Sequence, residues 1–174
     1  VAKSSNLREF QESILLKLKE ATTKGHAVST SRLGVTVGSK KILINLTDVS
    51  EVLPMPPIQI VPLTQPWFLG VANVRGNLYN ISDLAQFMGM APTVKSASNR
   101  IVLINSDITT QVAVMIGSLV GLRSVEAMKK KSTSKNKDTF LSKHSFEDDD
   151  KNVWFELDVG SLTKDKAFVQ PTIV

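Results

Sequence analysis

The 174-residue chain contains no cysteine, two histidines and one tyrosine. Without cysteine there is no disulfide frame, thiolate zinc site, iron–sulfur cluster or thiol nucleophile. The histidines, His26 and His144, lie far apart, and neither has a second histidine at ligand spacing. That leaves no metal site to expect and removes most of the usual stock for proton transfer near neutral pH. Long apolar runs are missing too. The longest, Val112 to Leu122, is interrupted by Gly117, Ser118 and Gly121 and falls short of the ~18 residues of a membrane helix. The N-terminus shows no apolar core of a signal peptide. Gly34 to Lys40 lacks the gap and the Gly-Lys-Ser/Thr ending of a phosphate loop, and Glu147 to Asp150 lacks the frame of a calcium loop. No Gly-x-Ser-x-Gly elbow is present. These absences favour a cytoplasmic binding protein, not an enzyme, with no cofactor.

The formal net charge is +5, from 21 basic and 16 acidic side chains. Much of the surplus lies between Met128 and Lys137, with lysines at 129, 130, 131, 135 and 137; the acidic run Glu147-Asp148-Asp149-Asp150 follows. Both read as solvated loops of opposite sign. A small β-barrel that binds nucleic acid is the alternative, since such folds pair a basic groove with stacked aromatics. Here Trp67, Phe68, Trp154 and Phe155 sit in apolar runs and are not interleaved with Lys or Arg, which suits core packing better.

Periodicity supplies the elements. Leu7, Phe10, Ile14 and Leu18, widened by Leu15, form one stripe of a helix from about Leu7 to Lys24, with Asn6 as N-cap and Gly25 as stop. Residues 1–29 are therefore expected to be an amphipathic helical extension. After residue 30 short strands take over. Ser31 to Val37 and Lys41 to Thr47 flank Gly38-Ser39-Lys40, a hairpin signal. Five of the seven prolines (54, 56, 57, 62 and 66) fall within thirteen positions. Proline donates nothing to a sheet ladder, so this stretch should be an extended edge or crossing segment. Further strands are expected over Trp67–Val74, Leu78–Ser82, Arg100–Asn105, Gln111–Ile116, Leu119–Val125 and Asn152–Leu157. A short helix is expected after Asp83 and another after Asp158. Eight or nine strands with few helices indicate a mainly β barrel or sandwich.

The most specific pattern lies in the middle. Leu46-Thr-Asp-Val-Ser-Glu-Val-Leu-Pro54 is followed by Pro66-Trp-Phe-Leu-Gly-Val-Ala-Asn-Val-Arg-Gly76, then by Asn77-Leu-Tyr-Asn-Ile-Ser-Asp-Leu84. In order and spacing this resembles the CheW family of bacterial chemosensory adaptors, and the resemblance extends over about residues 30 to 165. It implies two small five-stranded SH3-like barrels side by side, sharing an apolar seam. The middle lobe would span about 54–124, and 30–53 plus 125–174 would complete the other. It also implies a scaffold that bridges the cytoplasmic tip of a methyl-accepting chemoreceptor to the regulatory domain of a CheA-type histidine kinase, reaching membrane arrays only through those partners. No nucleic acid and no membrane insertion would be involved.

Carried over residue by residue, Val49, Glu51, Asn73 and Arg75 match partner-binding positions, while Gly70, Gly76 and Asp83 match structural turn positions. The chain departs from the family at Asn80, where a proline is common, and at Ser31 and Arg32, where apolar residues are usual. Its lysine-rich segment is also less regular. The N-terminal helix is similar to that of the extended adaptors of type IV pilus (twitching motility) systems, the PilI group. A CheA regulatory domain or a CheV-like fusion is the rival within the family, and the lack of an attached kinase or receiver segment favours a stand-alone adaptor.

Overall fold

The structure is a computed structural model that describes residues 12, 14–15, 30–132 and 140–173. Eleven strands appear among the described residues: β1 (Ser31–Val37), β2 (Lys40–Asn45), β3 (Val49–Pro54), β4 (Phe68–Val74), β5 (Asn77–Asp83), β6 (Arg100–Ile104), β7 (Val112–Ile116), β8 (Ser118–Ser124), β9 (Lys129–Ser132), β10 (Leu141–Glu147) and β11 (Val153–Leu157). They form a six-stranded sheet in the order β8-β1-β2-β11-β10-β9 and a five-stranded sheet in the order β3-β6-β7-β5-β4. Both are mixed, because β11 runs parallel to β2 and β5 parallel to β7. The mainly β, two-lobed architecture matches the expectation, with six strands in one sheet where five were expected.

Strand membership corrects the expected lobe boundaries. The chain leaves the first sheet at the turn Leu46–Asp48, so β3 belongs to the middle sheet and not to the flanking lobe. It returns at Gly117, directly between β7 and β8, so β8 belongs to the flanking sheet. A side chain at 117 would press on Thr36, whose carbonyl accepts from the Gly117 amide at 2.8 Å.

Why several strands read as unbroken apolar runs is now clear. In β6, Ile101 and Leu103 enter a core inside the five-stranded sheet with Val74 and Ile81, while Val102 and Ile104 enter a larger core. That larger core also holds Leu33, Val35, Ile42 and Ile44 from the other sheet and is the seam between the lobes. Leu43, Phe146 and Trp154 form a third core inside the six-stranded sheet. A strand buried on both faces needs apolar residues at successive positions, not alternate ones.

Two expected loops are corrected. Part of the lysine segment is strand β9, which pairs with β10 and has all four residues exposed. A two-sided polar edge strand carries no periodic signal, and lysine is a common edge residue because it discourages pairing with another chain. The acidic run begins at the end of β10 and continues into a turn closed by Asp148, which accepts from the Asn152 backbone amide. Most of the expected N-terminal helix lies outside the described residues. Of those described, Glu12, Ile14 and Leu15 are helical, and Leu15 is buried in the seam core. No helix among the described residues is long and apolar enough to cross a membrane.

Candidate functional site

The β4–β5 hairpin turns on Arg75 and Gly76, since Val74 pairs with Asn77. Both turn residues have positive φ, 52° at Arg75 and 86° at Gly76. Two-residue turns of this hand suit the twist of a hairpin and favour Asn-Gly, because β-carbons crowd that region. Arginine at the first position is therefore unusual. The Asn73 side-chain oxygen accepts from the Gly76 amide at 2.9 Å and holds the turn.

The Arg75 side chain lies across the sheet's open side. Its two terminal nitrogens donate to the two carboxylate oxygens of Glu51 at 2.7 and 2.5 Å. Glu51 is on β3 and Arg75 follows β4, the two edges of the five-stranded sheet, so this fork-to-fork pair links the first and last strands. It is an exposed link: the Arg75 side chain is 66% and the Glu51 side chain 24% accessible. Leu78, on the next strand, is also exposed.

Glu51, Asn73, Arg75 and Gly76 are thus brought together, but Val49 is not. Val49 is 1% exposed and packs in the seam core. The pairing of β3 with β6 shifts register between Val49 and Glu51. In a regular strand the two would share a face; a bulge turns one inward and leaves the other at the surface. Val49 is therefore corrected from a contact residue to a packing residue.

The other turn positions are structural for separate reasons. Gly70 has φ of 134°, and a β-carbon there would sit 2.1 Å from the Gln59 carbonyl oxygen. The proline-rich link crosses at this point, with Gln59 and Val71 exchanging backbone hydrogen bonds at 2.8 and 2.9 Å. Further on, the Gln65 amide donates to Pro171 and the Ile173 amide donates to Leu63, tying the link to the C-terminal segment. Asp83 is 1% exposed and caps the helix Leu84–Phe87 through Ala85 and Gln86. Its carboxylate also accepts from the Thr93 amide at 2.8 Å and hydroxyl at 2.7 Å.

The aromatic residues are spent on packing. Trp67 stacks on Phe168 at 5.9 Å and meets Phe87 edge-on at 4.9 Å, while Phe87 contacts Phe140. The cluster joins the middle lobe to the C-terminal part, and residues so far apart in the chain leave no local signal. Trp154 is buried, and its indole N–H donates to Asp148 at 2.9 Å. That bond, aided by the Asn152 and Asp150 amides and opposed by desolvation, lowers the Asp148 carboxyl to about 2. Asp48 moves the other way: burial and then Asp158 raise it, with Arg32 opposing. No group of three or more potential metal-ligating acidic or histidine side chains occurs among the described residues.

Comparison with known proteins agrees with this fold. Residues 32–167 match the model of the CheW-like domain. The chain is 39% identical over 61 residues to the protein PilI of Pseudomonas aeruginosa, covering 35% of this chain and 34% of that protein. It is 31% identical over 67 residues to a probable chemotaxis protein CheW of Rhizobium etli, covering 38% and 43%. The matched stretches thus span between a third and a half of these relatives' length. Among solved structures, the scaffolding protein TtCheW of Thermoanaerobacter tengcongensis superposes with a TM-score of 0.63 at 18% identity, over 74% of this chain and 88% of that one.

Proposed function

The chain belongs to the CheW-like domain family, and on that premise we propose that it is a non-enzymatic adaptor joining a methyl-accepting chemoreceptor's cytoplasmic tip to a CheA-type histidine kinase. The observation that carries this reading is the Arg75–Glu51 pair. An exposed arginine held on a hairpin tip, with donors to spare beyond its bound carboxylate, suits a partner contact that joins charge to an apolar neighbour such as Leu78. The backbone conformation at Arg75 points the same way, because unfavourable φ values persist where function retains them. On this reading the protein works in the cytoplasm and meets the membrane through its receptor. The stretch shared with PilI supports placement in a pathway controlling type IV pili and twitching.

The test is co-sedimentation of the purified chain with a receptor cytoplasmic fragment and a CheA-type kinase, read together with kinase autophosphorylation. A ternary complex that needs the chain, and that weakens about five- to tenfold with Arg75→Ala, is the expected result. Failure of wild-type protein to join the partners would remove the adaptor reading. Full coupling by the variant would remove Arg75 from the interface. Disrupting the gene should abolish twitching and spare swimming; the reverse outcome would move the protein to a flagellar pathway.

A further inference from the structure

The six-stranded sheet ends on β9, and all four residues of that strand are exposed. One side of β9 is bonded to β10, with Lys129 opposite Glu147 and Ser132 opposite His144. No strand among the described residues takes the other side. In an antiparallel ladder every second residue turns its backbone N–H and C=O away from the paired neighbour. The outer edge of β9 therefore offers a short row of backbone donors and acceptors.

Lysine flanks this edge on both faces. Register places Lys41, Trp154, Phe146 and Lys130 in one transverse row across β2, β11, β10 and β9. Val153, Glu147 and Lys129 stand in the next row. Side chains of one row share a face and those of the next take the other, so Lys129 and Lys130 lie on opposite sides of the sheet. Neighbouring cations are occupied: Lys131 and Lys151 pair with Glu147, Lys40 lies over the Phe155 ring, and Lys41 and Arg123 lie over Trp154. Lys129 and Lys130 have neither an acid nor a ring among the described residues. The acids close by do not cancel them. Glu147 is held by its two lysines, and Asp148 by the turn amides and Trp154. Asp149 and Asp150 stand in the β10–β11 turn, one strand inward of the free edge, and Glu126 lies before β9 in the turn Val125–Ala127.

We propose that the free edge of β9 receives an extended acidic segment of a partner protein, added as a further strand. The edge belongs to the flanking lobe, in the sheet that does not carry Arg75. Three consecutive lysines repel a second copy of the same edge, because like charges opposed across a ladder destabilise it. Carboxylates in those places form cross-strand pairs instead. The backbone row supplies affinity and the lysines supply selection by charge. Nucleic acid fits less well. Single strands are held by stacking on open aromatic faces, whereas Trp154 and Phe146 are buried. Phosphate oxygens also only accept hydrogen bonds, so they leave the edge's carbonyls unanswered.

The experiment is fluorescence anisotropy of a labelled heptapeptide of alternating glutamate and threonine, titrated with the purified chain at low salt. Saturable binding is expected, with amide NMR shifts of the isotope-labelled chain confined to residues 129–132 and their neighbours on β10. Lys129→Gln/Lys130→Gln, at two exposed positions, should weaken binding about tenfold or more. Lys164→Gln/Lys166→Gln removes the same charge from the C-terminal helices and should leave binding unchanged. Two analogues N-methylated at alternate residues test the ladder, since one of them lacks the amides that would face β9. At least one should bind about tenfold more weakly than the parent peptide. Absence of saturable binding, shifts elsewhere in the chain, or equal loss in the two double variants would overturn the proposal. So would parent-like binding of both N-methylated analogues, or equally tight binding of a thymidine oligonucleotide of the same charge.

Discussion

Arg75 closes the five-stranded sheet by gripping Glu51 across its two edges, from a backbone conformation that arginine seldom adopts. The same residue is thus a clasp and the most exposed charged feature of the hairpin tip. Its two duties can be separated.

Arg75→Asn puts the preferred residue at the turn's first position and removes the ion pair. An exposed pair contributes about 0–1 kcal/mol, and the easier turn returns a similar amount. Urea denaturation should therefore find stability within about 1 kcal/mol of wild type, while coupling to receptor and kinase falls. A variant that unfolds readily would show that the clasp is structural in the main.

Gly70 has no such latitude. Gly70→Ala combines a positive φ with a β-carbon 2.1 Å from the Gln59 oxygen. The link must lift off β4 or the strand must shift, at a cost of about 2–4 kcal/mol. Equilibrium unfolding would expose the error if the loss were below about 1 kcal/mol.

Asp83→Ala removes the cap of the helix Leu84–Phe87 and strands the Thr93 amide. The expected loss is about 2–4 kcal/mol, from a lost cap and a buried donor left unpaired. Asp83→Asn, which keeps an acceptor oxygen, should lose less. A reversed order of the two variants in thermal unfolding would contradict the capping role.

Leu15→Ala tests the N-terminal segment. Leu15 is buried in the seam core, and deleting such a side chain costs about 2–5 kcal/mol. An unchanged unfolding midpoint would detach this segment from the fold and leave it for a partner.

Acid should act through Asp148. Its carboxyl titrates near 2, below the ordinary 3.8, so its contribution is present above about pH 4 and lost as pH falls through 2. Trp154 emission should change over that window with release of the indole N–H. Asp148→Asn should flatten that change, and an unaltered profile would assign it elsewhere.

Much of this fold is legible in the chain. The apolar runs of β6 and β7, the glycine turns and the capping aspartates act locally, and local chemistry survives translation into structure. What was not legible has physical causes. β9 has no buried face to pattern it. Val49 and Glu51 stand two apart, which promises a shared face, and a bulge undoes that promise. The reason for Gly70 lies eleven residues upstream, at Gln59. The cluster of Trp67, Phe87 and Phe168 joins the middle lobe to the C-terminal segment, and no stretch of sequence holds those residues together.

The two-faced strands β6 and β7 make the lobes neighbours through a common wall. Ile101 and Val102 are consecutive, yet one belongs to the middle lobe's interior and the other to the seam. A partner that pulls on the Arg75 hairpin loads β3 through Glu51, and β3 bears directly on β6. Displacement of that wall cannot be confined to one core. The seam thereby becomes a mechanical junction, because the strands that wall off one core are the same strands that wall off the next.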